Sequence, residues 1–475
     1  MSKYEMTIGI ECHVQLSTKT KLFSATDNDA VDKEPNACVS PIDYALPGML
    51  PVLNRVAVEK AVRVGLAMNC KINLVSRFDR KHYFYPDLPS GFQKTQMYMP
   101  IVGAGVVKLP DGSEVRIEHA HLEEDAGKLT HFDGYSLVDL NRAGTPLVEI
   151  VSMPDMHSAT QARLYCEELH RLMRYAEASN GDLYHGNMRF DVNISVAVEG
   201  SGKLGTRAEI KNLNSFRSVE RAIQYEFERQ VGLLERGEKV VQETRGWSDD
   251  KGKTTAQRSK EDAQDYRYMP EPDVPPIVLT EQFVAAIAED MPLLPGDYRE
   301  LFGVLDLDGS EVSAILNYPL LAERLAGVLA GGSELAVRVA HWFSGVLLAE
   351  ENVGKDFGLA TVAELTELSG MVDGGELSST AGKEVFLALY EQKNTEKTPL
   401  ALAKEMNLLQ ENDEGALMKI VDEVLGSPEC AKAMEDMRGG EMRVIGFLVG
   451  QVMKRSGGKA NPGMVNQLIR EKILS

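Results

Sequence analysis

Alternating apolar and polar positions characterise the first 280 residues or so of the chain, whereas apolar residues at helical spacing characterise the remainder. Alternation predicts strands, because successive side chains of a strand point to opposite faces of a sheet. The predicted strands are Met6–Leu16, Glu114–Glu124, Ser136–Asn141, Leu147–Ser152, Asn187–Val198 and Gly205–Asn212. The predicted helices of this part are Val52–Met68, Ala159–Tyr175 and Ser215–Arg236. Clean alternation favours an antiparallel sheet with one solvated face over a buried parallel sheet.

Two proline-rich segments separate the two patterns. YMPEPDVPP at 268–276 cannot be a central strand, since proline cannot donate to the ladder, and MPLLPG follows at 291–296. A polar break lies further on, at 407–414. We therefore predict an α+β protein with three domains. They are a domain built on a mixed or antiparallel sheet at 1–294, an all-α helical domain at 295–409 and a small all-α tail domain at 410–475.

Charge is distributed unevenly along the 475 residues. The formal net charge is −20, which taken alone argues against a nucleic-acid partner. Residues 431–475, however, carry eight Lys or Arg against four Asp or Glu, a net charge of +4, so the rest carries −24. An acidic body with a basic tail is compatible with a localised RNA contact.

Apolar runs and cysteines add expectations about the compartment. No apolar run approaches the length needed to span a bilayer, and no signal-peptide pattern is visible, so we expect no membrane and a cytoplasmic location. The five cysteines are dispersed and form no CxxC pair, which favours buried free thiols over a disulfide framework or a zinc site.

The polar face of the first predicted strand carries candidate chemistry. Glu11 and His13 are two residues apart, so their α-carbons lie roughly 7 Å apart on one face. A carboxylate and an imidazole at that distance could converge on one cation.

Two further strands repeat the arrangement. Arg189, Asp191 and Asn193 share one face of their strand, and Arg207, Glu209 and Lys211 line up on the next. A plain solvated face is the alternative for any one of these strands. The mixture of acids, bases and amides nevertheless suits a site that holds a metal ion and phosphate together.

Acidic residues also cluster at HLEEDAGK, residues 121–128. Neighbouring acids repel one another unless a cation lies among them, although an exposed acidic turn would look the same. Alternation cannot decide whether Glu123 or Glu124 points inward. Glu149 is a lone carboxylate in an apolar strand, which is costly unless it is paired or coordinated.

Two basic segments are candidates for RNA contacts. Residues 77–98 interleave basic and aromatic side chains, including Arg80, Lys81, Tyr83 and Tyr85, which could bind and stack on an unpaired base at the end of an RNA. A proline-anchored loop with its aromatics packed inward is the alternative. In the tail, the basic residues are Lys454, Arg455 and Lys459. They could contact RNA phosphates or merely stabilise a helix C-terminus.

Together these segments resemble the B subunit of the bacterial aspartyl/glutamyl-tRNA amidotransferases. The resemblance rests on IGIECHVQL (8–16), DRKHYFYPDLP (79–89), HLEEDAGK (121–128), SLVDLNRAGTPLVEIVSMPD (136–155), NMRFDVNISV (187–196), RAEIKNLNSF (207–216), DYRYMPEPD (265–273), GFLVGQVMK (446–454) and GKANPGMVNQLI (458–469). It implies a catalytic cradle similar to the active-site sheet of glutamine synthetase, a helical domain and a tRNA-binding tail. It also implies ATP- and Mg²⁺-dependent phosphorylation of the side-chain carboxylate of Glu-tRNA(Gln) or Asp-tRNA(Asn), followed by amidation. The resemblance further implies two partners, a glutaminase A subunit that supplies the ammonia and a small C subunit that stabilises the complex.

The resemblance also suggests roles for individual residues. The implied metal ligands are Glu11, His13, Glu124, Glu149, Asp191 and Glu209. The implied phosphate-binding residues are Arg189, Arg207 and Lys211. The implied catalytic residues are Glu11, Glu124, Arg189, Asp191 and Lys211. Some relatives hold a structural zinc ion on four N-terminal cysteines, but Cys38 stands alone here, so we expect no zinc.

Two other classes of function stay open at this stage. One is a stand-alone ligase or kinase that acts on a small carboxylate, against which the basic tail argues. The other is a non-catalytic tRNA-binding adaptor, against which the clustered acids argue, because RNA binding alone has no use for them.

Overall fold

The structure is a computed structural model that describes residues 3–259, 265–349, 356–391, 397–410, 413–457 and 459–474. Its packing divides the chain into two compact units, Met1–Gly296 and Asp297–Ser475. The three domain ranges expected from the sequence stay predictions.

All described strands belong to the first unit. They are β1 (Tyr4–Gln15), β2 (Val75–Ser76), β3 (Asp79–His82), β4 (Phe92–Thr95), β5 (Gly105–Lys108), β6 (Glu114–Glu124), β7 (Lys128–Phe132), β8 (Tyr135–Asp139), β9 (Pro146–Ser152), β10 (Met188–Val198), β11 (Ala208–Leu213), β12 (Glu243–Ser248), β13 (Lys253–Ser259), β14 (Met269–Pro270) and β15 (Ile277–Val278). Eleven of them form one sheet in the order β13-β12-β11-β10-β1-β9-β6-β4-β3-β14, with β5 also paired to β6. Among the pairings in the described part of this sheet, β11–β12 is parallel and the others are antiparallel.

One face of the sheet is covered by helices. The helices of this unit are α1 (Arg55–Ala67), α2 (Ala159–Tyr175), α3 (Phe216–Glu235) and α4 (Glu281–Glu289). Ser158 and Ser215 cap α2 and α3, each by accepting a backbone N–H of the first turn. The apolar side chains of β1, such as Ile10 and Cys12, are buried in a core shared with these helices. The polar side chains of β1 consequently point to the opposite, open face.

The regular elements described in the second unit are helices joined by short turns. Its α-helices are α5 (Pro295–Phe302), which begins at the boundary, α6 (Gly309–Leu316), α7 (Pro319–Leu329), α8 (Ser333–Trp342), α9 (Val362–Asp373), α10 (Ser379–Leu389), α11 (Pro399–Glu405), α12 (Glu414–Leu425), α13 (Ala431–Arg438), α14 (Ile445–Arg455) and α15 (Pro462–Leu474). Helices α12 to α15 share a core of their own, which includes Leu417, Leu448 and Ile469. Among the described helices, none is singly long and apolar enough to cross a bilayer, although the bent pair of α6 and α7 meets the length and composition criteria together.

The predicted fold class is confirmed: a mixed sheet with helices comes first, and a helical region follows. All three helices predicted for the first unit are present, and α2 has the predicted bounds. All six predicted strands are present too, but Ser136–Asn141 corresponds to β8, which pairs with β7 in a separate ribbon rather than joining the large sheet. The five cysteines are buried and free, as expected.

Candidate active site on the open face of the sheet

The central strand β1 brings Glu11 and His13 to the open face. Antiparallel pairing places His13 between Glu149 of β9 and Arg189 of β10. Glu11 lies opposite Asp191 of β10 but opposite an apolar valine on β9. The acidic neighbours of the two residues therefore lie on different sides of β1, and the polar face divides into two clusters.

The first cluster consists of His13, Glu123 and Glu149, and we call it the histidine cluster. The Nε2 atom of His13 lies 3.7 Å from Glu123 Oε1 and 3.6 Å from Glu149 Oε2. One ligand atom from each of the three residues lies within 4.8 Å of the other two, which is close enough for one metal ion. His121 lies behind them, with its Nε2 3.4 Å from Glu149 Oε2 and 3.7 Å from Glu123 Oε2.

Cationic neighbours set the protonation of this cluster. Burial opposes the charge on Glu123, but His121, His13 and Lys81 outweigh burial and lower its pKa to about 2. Burial also opposes the charge on His121, yet Glu123 and Glu149 raise its pKa. Likewise, Lys81 has a raised pKa despite its burial, because Glu123 and Glu149 lie near it. The carboxylate of Glu123 is thus ionised at neutral pH.

Glu124 does not reach this cluster. Along β6, His121 and Glu123 share the open face, whereas Leu122 and Glu124 point to the side of the helices. The Glu124 carboxylate accepts hydrogen bonds from the backbone N–H and the Nζ of Lys94, both at 2.9 Å. The structure therefore brings Glu123, rather than the predicted Glu124, to His13, because the side chains of a strand alternate.

The second cluster consists of Glu11, Asp191 and Glu209, and we call it the lysine cluster. One oxygen atom from each residue lies within 4.8 Å of the other two. Lys211 Nζ bridges two of the acids, at 2.6 Å from Asp191 and 2.9 Å from Glu209. Asn193 Nδ2 donates to Glu11 Oε1 at 3.0 Å.

The protonation of the lysine cluster differs from one acid to the next. Glu11 has no lysine of its own, and its pKa is raised by burial and by the charges of Glu149, Glu209 and Asp191, which its bond from Asn193 only partly offsets. Burial would also raise the pKa of Glu209, but Lys211 and Thr244 lower it. Burial opposes the charge of Lys211 too, yet its two acidic partners raise its pKa. A further cation beside Glu11 would relieve the repulsion among the acids.

A cleft of about 520 Å³ runs along the histidine cluster and reaches Asp191 of the lysine cluster. Its lining residues include His13, Lys81, Glu123, Glu149, Arg189, Asp191 and Lys211. Arg189 is about one-third exposed, and its Nη2 lies 3.0 Å from Asp125 Oδ2, which also lies 3.3 Å from Nε of Arg142. The cleft thus has carboxylates on its floor and cations around them, which suits a phosphorylated substrate with a metal ion.

The remaining predicted residues lie around or away from this cleft. Arg207 is exposed and immediately precedes β11, and its charge helps to lower the pKa of Glu209. Arg80 is engaged by Glu271, through bonds of 2.8 and 2.9 Å, and by Asp273 at 3.0 Å. Tyr83 and Tyr85 are in ring contact with each other at 5.6 Å.

The predicted basic residues of the tail belong to the second unit. Lys454 and Arg455 end α14 and are exposed, and Arg455 lies 3.7 Å from Glu423. Lys459 Nζ donates to the side chain of Asn407 at 2.8 Å. Two of the three cations therefore already have a polar neighbour at the surface.

Two residues beside the histidine cluster, His121 and Lys81, are not predicted in these positions from the sequence. His121 was not selected, although a signal was present, because it is two residues before Glu123 on the same strand. Lys81 was predicted only as an RNA contact. It carried no signal for a role at the clusters, since β3 reaches the cleft only through its pairing with β4, which in turn pairs with β6.

Comparison with known proteins decides the family. The model of the GatB/GatE catalytic domain matches residues 6–285, and the model of the GatB domain matches residues 328–473. The chain belongs to the GatB/GatE family. Within this family it is 45% identical to the B subunit of the aspartyl/glutamyl-tRNA(Asn/Gln) amidotransferase of Alkalilimnicola ehrlichii, with 99% of each chain covered. It is 44% identical to the B subunit of the chloroplastic/mitochondrial glutamyl-tRNA(Gln) amidotransferase of Ricinus communis, with 99% of this chain and 87% of that relative covered.

Both clusters lie within the part of the chain that matches the GatB/GatE catalytic domain, whereas Lys454, Arg455 and Lys459 lie within the GatB-domain match. The resemblance seen in short motifs therefore extends over essentially the whole chain.

Proposed function

We propose that this chain amidates the side-chain carboxylate of a mischarged Glu-tRNA(Gln) or Asp-tRNA(Asn), with ATP and Mg²⁺, in the cleft of the first unit. The observation that carries the proposal is the pair of metal-ligand clusters on one sheet face, flanked by Arg189, Lys211 and Lys81. Full-length similarity to the B subunits of amidotransferases supports the same conclusion.

The chemistry explains why such a face is needed. A carboxylate resists attack by ammonia because oxide is a poor leaving group. An oxygen of the substrate carboxylate attacks the γ-phosphorus of ATP and ADP leaves, which gives an acyl phosphate. Ammonia then attacks the acyl carbon, phosphate leaves, and the nitrogen loses a proton, which yields the amide. Both steps bring several negative charges together, so they need cations at fixed positions.

The donor atoms of the two clusters fit Mg²⁺. Carboxylates dominate both sets, and the raised pKa of Glu11 reflects a surplus of negative charge that a cation would relieve. We propose Glu123 and Glu149 with His13, and Asp191 and Glu209 with Glu11, as the ligands. When bound, Mg²⁺ screens the charge of the phosphates and binds their oxygens.

The cationic side chains have complementary tasks in this proposal. Arg189 presents a partly exposed guanidinium to the cleft and is oriented by Asp125, so it binds phosphate oxygens. Lys211, which lies between Asp191 and Glu209, would bind a phosphate oxygen if a cation shared the charge of these two acids. Arg207, immediately before β11, binds the outer end of the nucleotide.

The proposed partners are those that the family implies. Among the described residues, no cysteine or serine in the cleft is placed as the nucleophile of a glutaminase, so ammonia comes from an A subunit, and the complex also contains a C subunit. We propose that Lys81, Tyr83 and Tyr85 contact the acceptor end of the tRNA. In the same proposal, Lys454, Arg455 and Lys459 contact the tRNA backbone. Arg80 also contacts the tRNA and keeps its ion pair with Glu271. A cytoplasmic, zinc-free complex is part of the same proposal.

The test is an amidation assay of the reconstituted complex with free ammonium in place of glutamine. We expect Mg²⁺-dependent formation of Gln-tRNA or Asn-tRNA, with ATP cleaved only when the misacylated tRNA is present. A complex that cleaves ATP equally well with free glutamate would support a small-carboxylate ligase instead. A complex that binds tRNA but cleaves no ATP under any of these conditions would support an adaptor.

The tail contributes a separate, salt-dependent measurement. Replacing Lys454 by Gln removes one phosphate contact, so the slope of log K against log salt should fall by about 0.9. Lys432, an exposed cation elsewhere in the tail, is the matched control. An unchanged slope for Lys454→Gln would contradict the proposed contact.

A further inference from the structure

Five tyrosines form a continuous series of ring contacts beside the cleft, and we call this series the tyrosine track. Its order is Tyr85, Tyr83, Tyr266, Tyr268 and Tyr98. Successive ring centroids are 5.6, 6.5, 6.1 and 6.1 Å apart. These separations lie within the range at which aromatic rings interact favourably.

Three separate segments of the first unit build the track. Tyr83 and Tyr85 follow β3, Tyr98 follows β4, and Tyr266 and Tyr268 precede β14. The track is therefore a product of tertiary pairing, since β14 pairs with β3, and β3 pairs with β4. In the sequence, Tyr98 and Tyr266 are about 170 residues apart, so only the fold brings the two parts of the track together.

The backbone between two of the rings is held in an unusual conformation. Arg267 has a φ of 44°, in the left-handed region that a residue with a side chain rarely adopts. His82 holds both sides of this position, because its backbone N–H donates to the carbonyl of Tyr266 at 2.9 Å and its Nδ1 lies 2.9 Å from the carbonyl of Arg267. Such strain persists only where surrounding contacts enforce it, and it concentrates at binding sites.

The track also runs past the histidine cluster. Lys81 Nζ lies 4.9 Å from the ring centroid of Tyr266, and the same lysine lines the cleft with Glu123 and Glu149. The charges of Lys81, Glu123 and Glu149 all act on the hydroxyl of Tyr268. The middle of the track is thus adjacent to the proposed reaction site.

The rings are not simply part of a core. Tyr98 is 61% exposed and Tyr85 is 44% exposed, so both ends are open to solvent, while Tyr83, Tyr266 and Tyr268 are half-buried. The track combines exposed π-faces with cations such as Lys81 and the exposed Arg267. Flat rings with neighbouring positive charge are the features that bind unpaired nucleotides, since every base has a π-face and every linkage a negative charge.

We propose that the tyrosine track binds the unpaired 3′ nucleotides of an RNA by stacking and leads its terminal, acyl-bearing nucleotide to Lys81 and the histidine cluster. The inference rests on the proposed function, to which it adds the residues that hold the single-stranded end. It assigns a role to Tyr98, Tyr266 and Tyr268, which were not selected from the sequence.

The experiment measures the binding of the full chain to an RNA hairpin with a four-nucleotide 3′ extension and to the same hairpin with a blunt end. The variants are Tyr98→Leu and Tyr268→Leu, which remove a ring, and Tyr98→Phe and Tyr268→Phe, which keep it. We expect each Leu variant to bind the extended RNA about tenfold more weakly, as for the loss of one stacked base, and each Phe variant to bind nearly as the wild type does. The blunt hairpin should bind all five proteins alike.

A matched control lies elsewhere in the same unit. Phe132 and Tyr135 form a stacked pair at 5.1 Å on the β7–β8 ribbon, and both rings are exposed. Tyr135→Leu should leave binding of the extended RNA unchanged. The salt dependence should also be the same for the wild type and the Leu variants, because stacking makes no phosphate contact.

Several results would overturn the inference. They are wild-type affinity in both Leu variants, an equal loss in the Phe variants, or an equal loss in Tyr135→Leu. Melting temperatures of all variants exclude a loss by unfolding. Amidation assays separate the two proposals. If the wild type is active and the Leu variants have an unchanged KM for tRNA, the role of the tyrosine track is rejected and the proposed function stands. If the wild type is inactive but the Leu variants still bind the extended RNA more weakly, the proposed function is rejected and the RNA-binding role of the track stands.

Discussion

The two clusters on the open face both consist largely of carboxylates, yet their electrostatics differ. In the histidine cluster, Glu123 is surrounded by two imidazoles and Lys81, and its pKa falls to about 2. In the lysine cluster, Glu11 is half-buried among other carboxylates, and its pKa rises. Lys211 lies beside that cluster, and its Nζ is bonded to the other two acids, Asp191 and Glu209.

The difference teaches that the neighbours of a carboxylate, rather than its strand position, decide whether it stabilises the fold. Glu123 has cationic partners built into the sheet, so its ionised form is favourable in the metal-free protein. Glu11 lacks such a partner, so its ionised form is unfavourable until a cation is bound. The histidine cluster is thus prearranged, whereas the lysine cluster gains more from a metal ion.

The largest expected effect comes from Glu123→Gln. Loss of this ligand should lower the amidation rate by on the order of 10²–10³, because charge developing on the phosphate is no longer neutralised in place. Glu124→Gln is the matched control, since Glu124 is bonded to Lys94 on the other side of the sheet. Amidation with ammonium and misacylated tRNA measures both variants. Equal losses of amidation rate in the two variants would contradict the placement of Glu123 and Glu124 on opposite faces of the sheet.

Lys211→Gln should change two measurements in opposite directions. Removing the lysine leaves Asp191 and Glu209 without a counter-charge, so the chain alone should bind Mn²⁺ more tightly, as measured by calorimetric titration. The same variant should lose about 10–10² in kcat/KM for ATP, because a phosphate contact is missing. Weaker Mn²⁺ binding would mean that Lys211 holds the acids in position instead of competing with the metal.

In the absence of metal, substitutions of Glu123 and Glu11 should change the free energy of unfolding in opposite directions. A depressed pKa stabilises the fold above the ordinary carboxyl pKa, and this contribution is lost as the pH falls towards 2. At neutral pH this contribution is fully present, so Glu123→Gln should lower the free energy of unfolding of the metal-free chain.

A raised carboxyl pKa has the opposite effect on the free energy of unfolding. Ionised Glu11 lowers the stability once the pH exceeds the ordinary carboxyl pKa, so Glu11→Gln should stabilise the metal-free chain at neutral pH. Urea unfolding in EDTA at pH 7 and pH 4.5 measures both variants. Shifts of the same sign at pH 7 would contradict the contrast between the clusters.

The smallest effect is expected from Asn193→Ala. Asn193 orients Glu11 through one hydrogen bond, so its removal should raise the Mg²⁺ concentration needed for half-maximal activity by about tenfold. The maximal rate at saturating Mg²⁺ should change little. A large fall in that rate with no change in the Mg²⁺ requirement would assign Asn193 to the substrate instead.

Much of this site could be derived from the sequence because strand alternation is a local property. The pattern of Glu11 and His13 on β1, and of Glu209 and Lys211 on β11, follows from successive side chains pointing to opposite faces. The bounds of β6 and α2 were likewise predictable, since turn and capping residues lie next to the apolar pattern. Alternation could not choose between Glu123 and Glu124, because the inner face of β6 depends on what β6 packs against.

The sequence by itself determined the fold class, the family and the residue types that face the cleft. Only the tertiary structure decided the grouping: β1 lies between β9 and β10, so His13 meets Glu149 while Glu11 meets Asp191. It also decided that Glu123 faces His13 in the cleft and that tyrosines about 170 residues apart form one track. The physical reason is that side-chain direction follows from neighbouring residues in the chain, whereas proximity between strands follows from the order of the sheet, which long-range pairing sets.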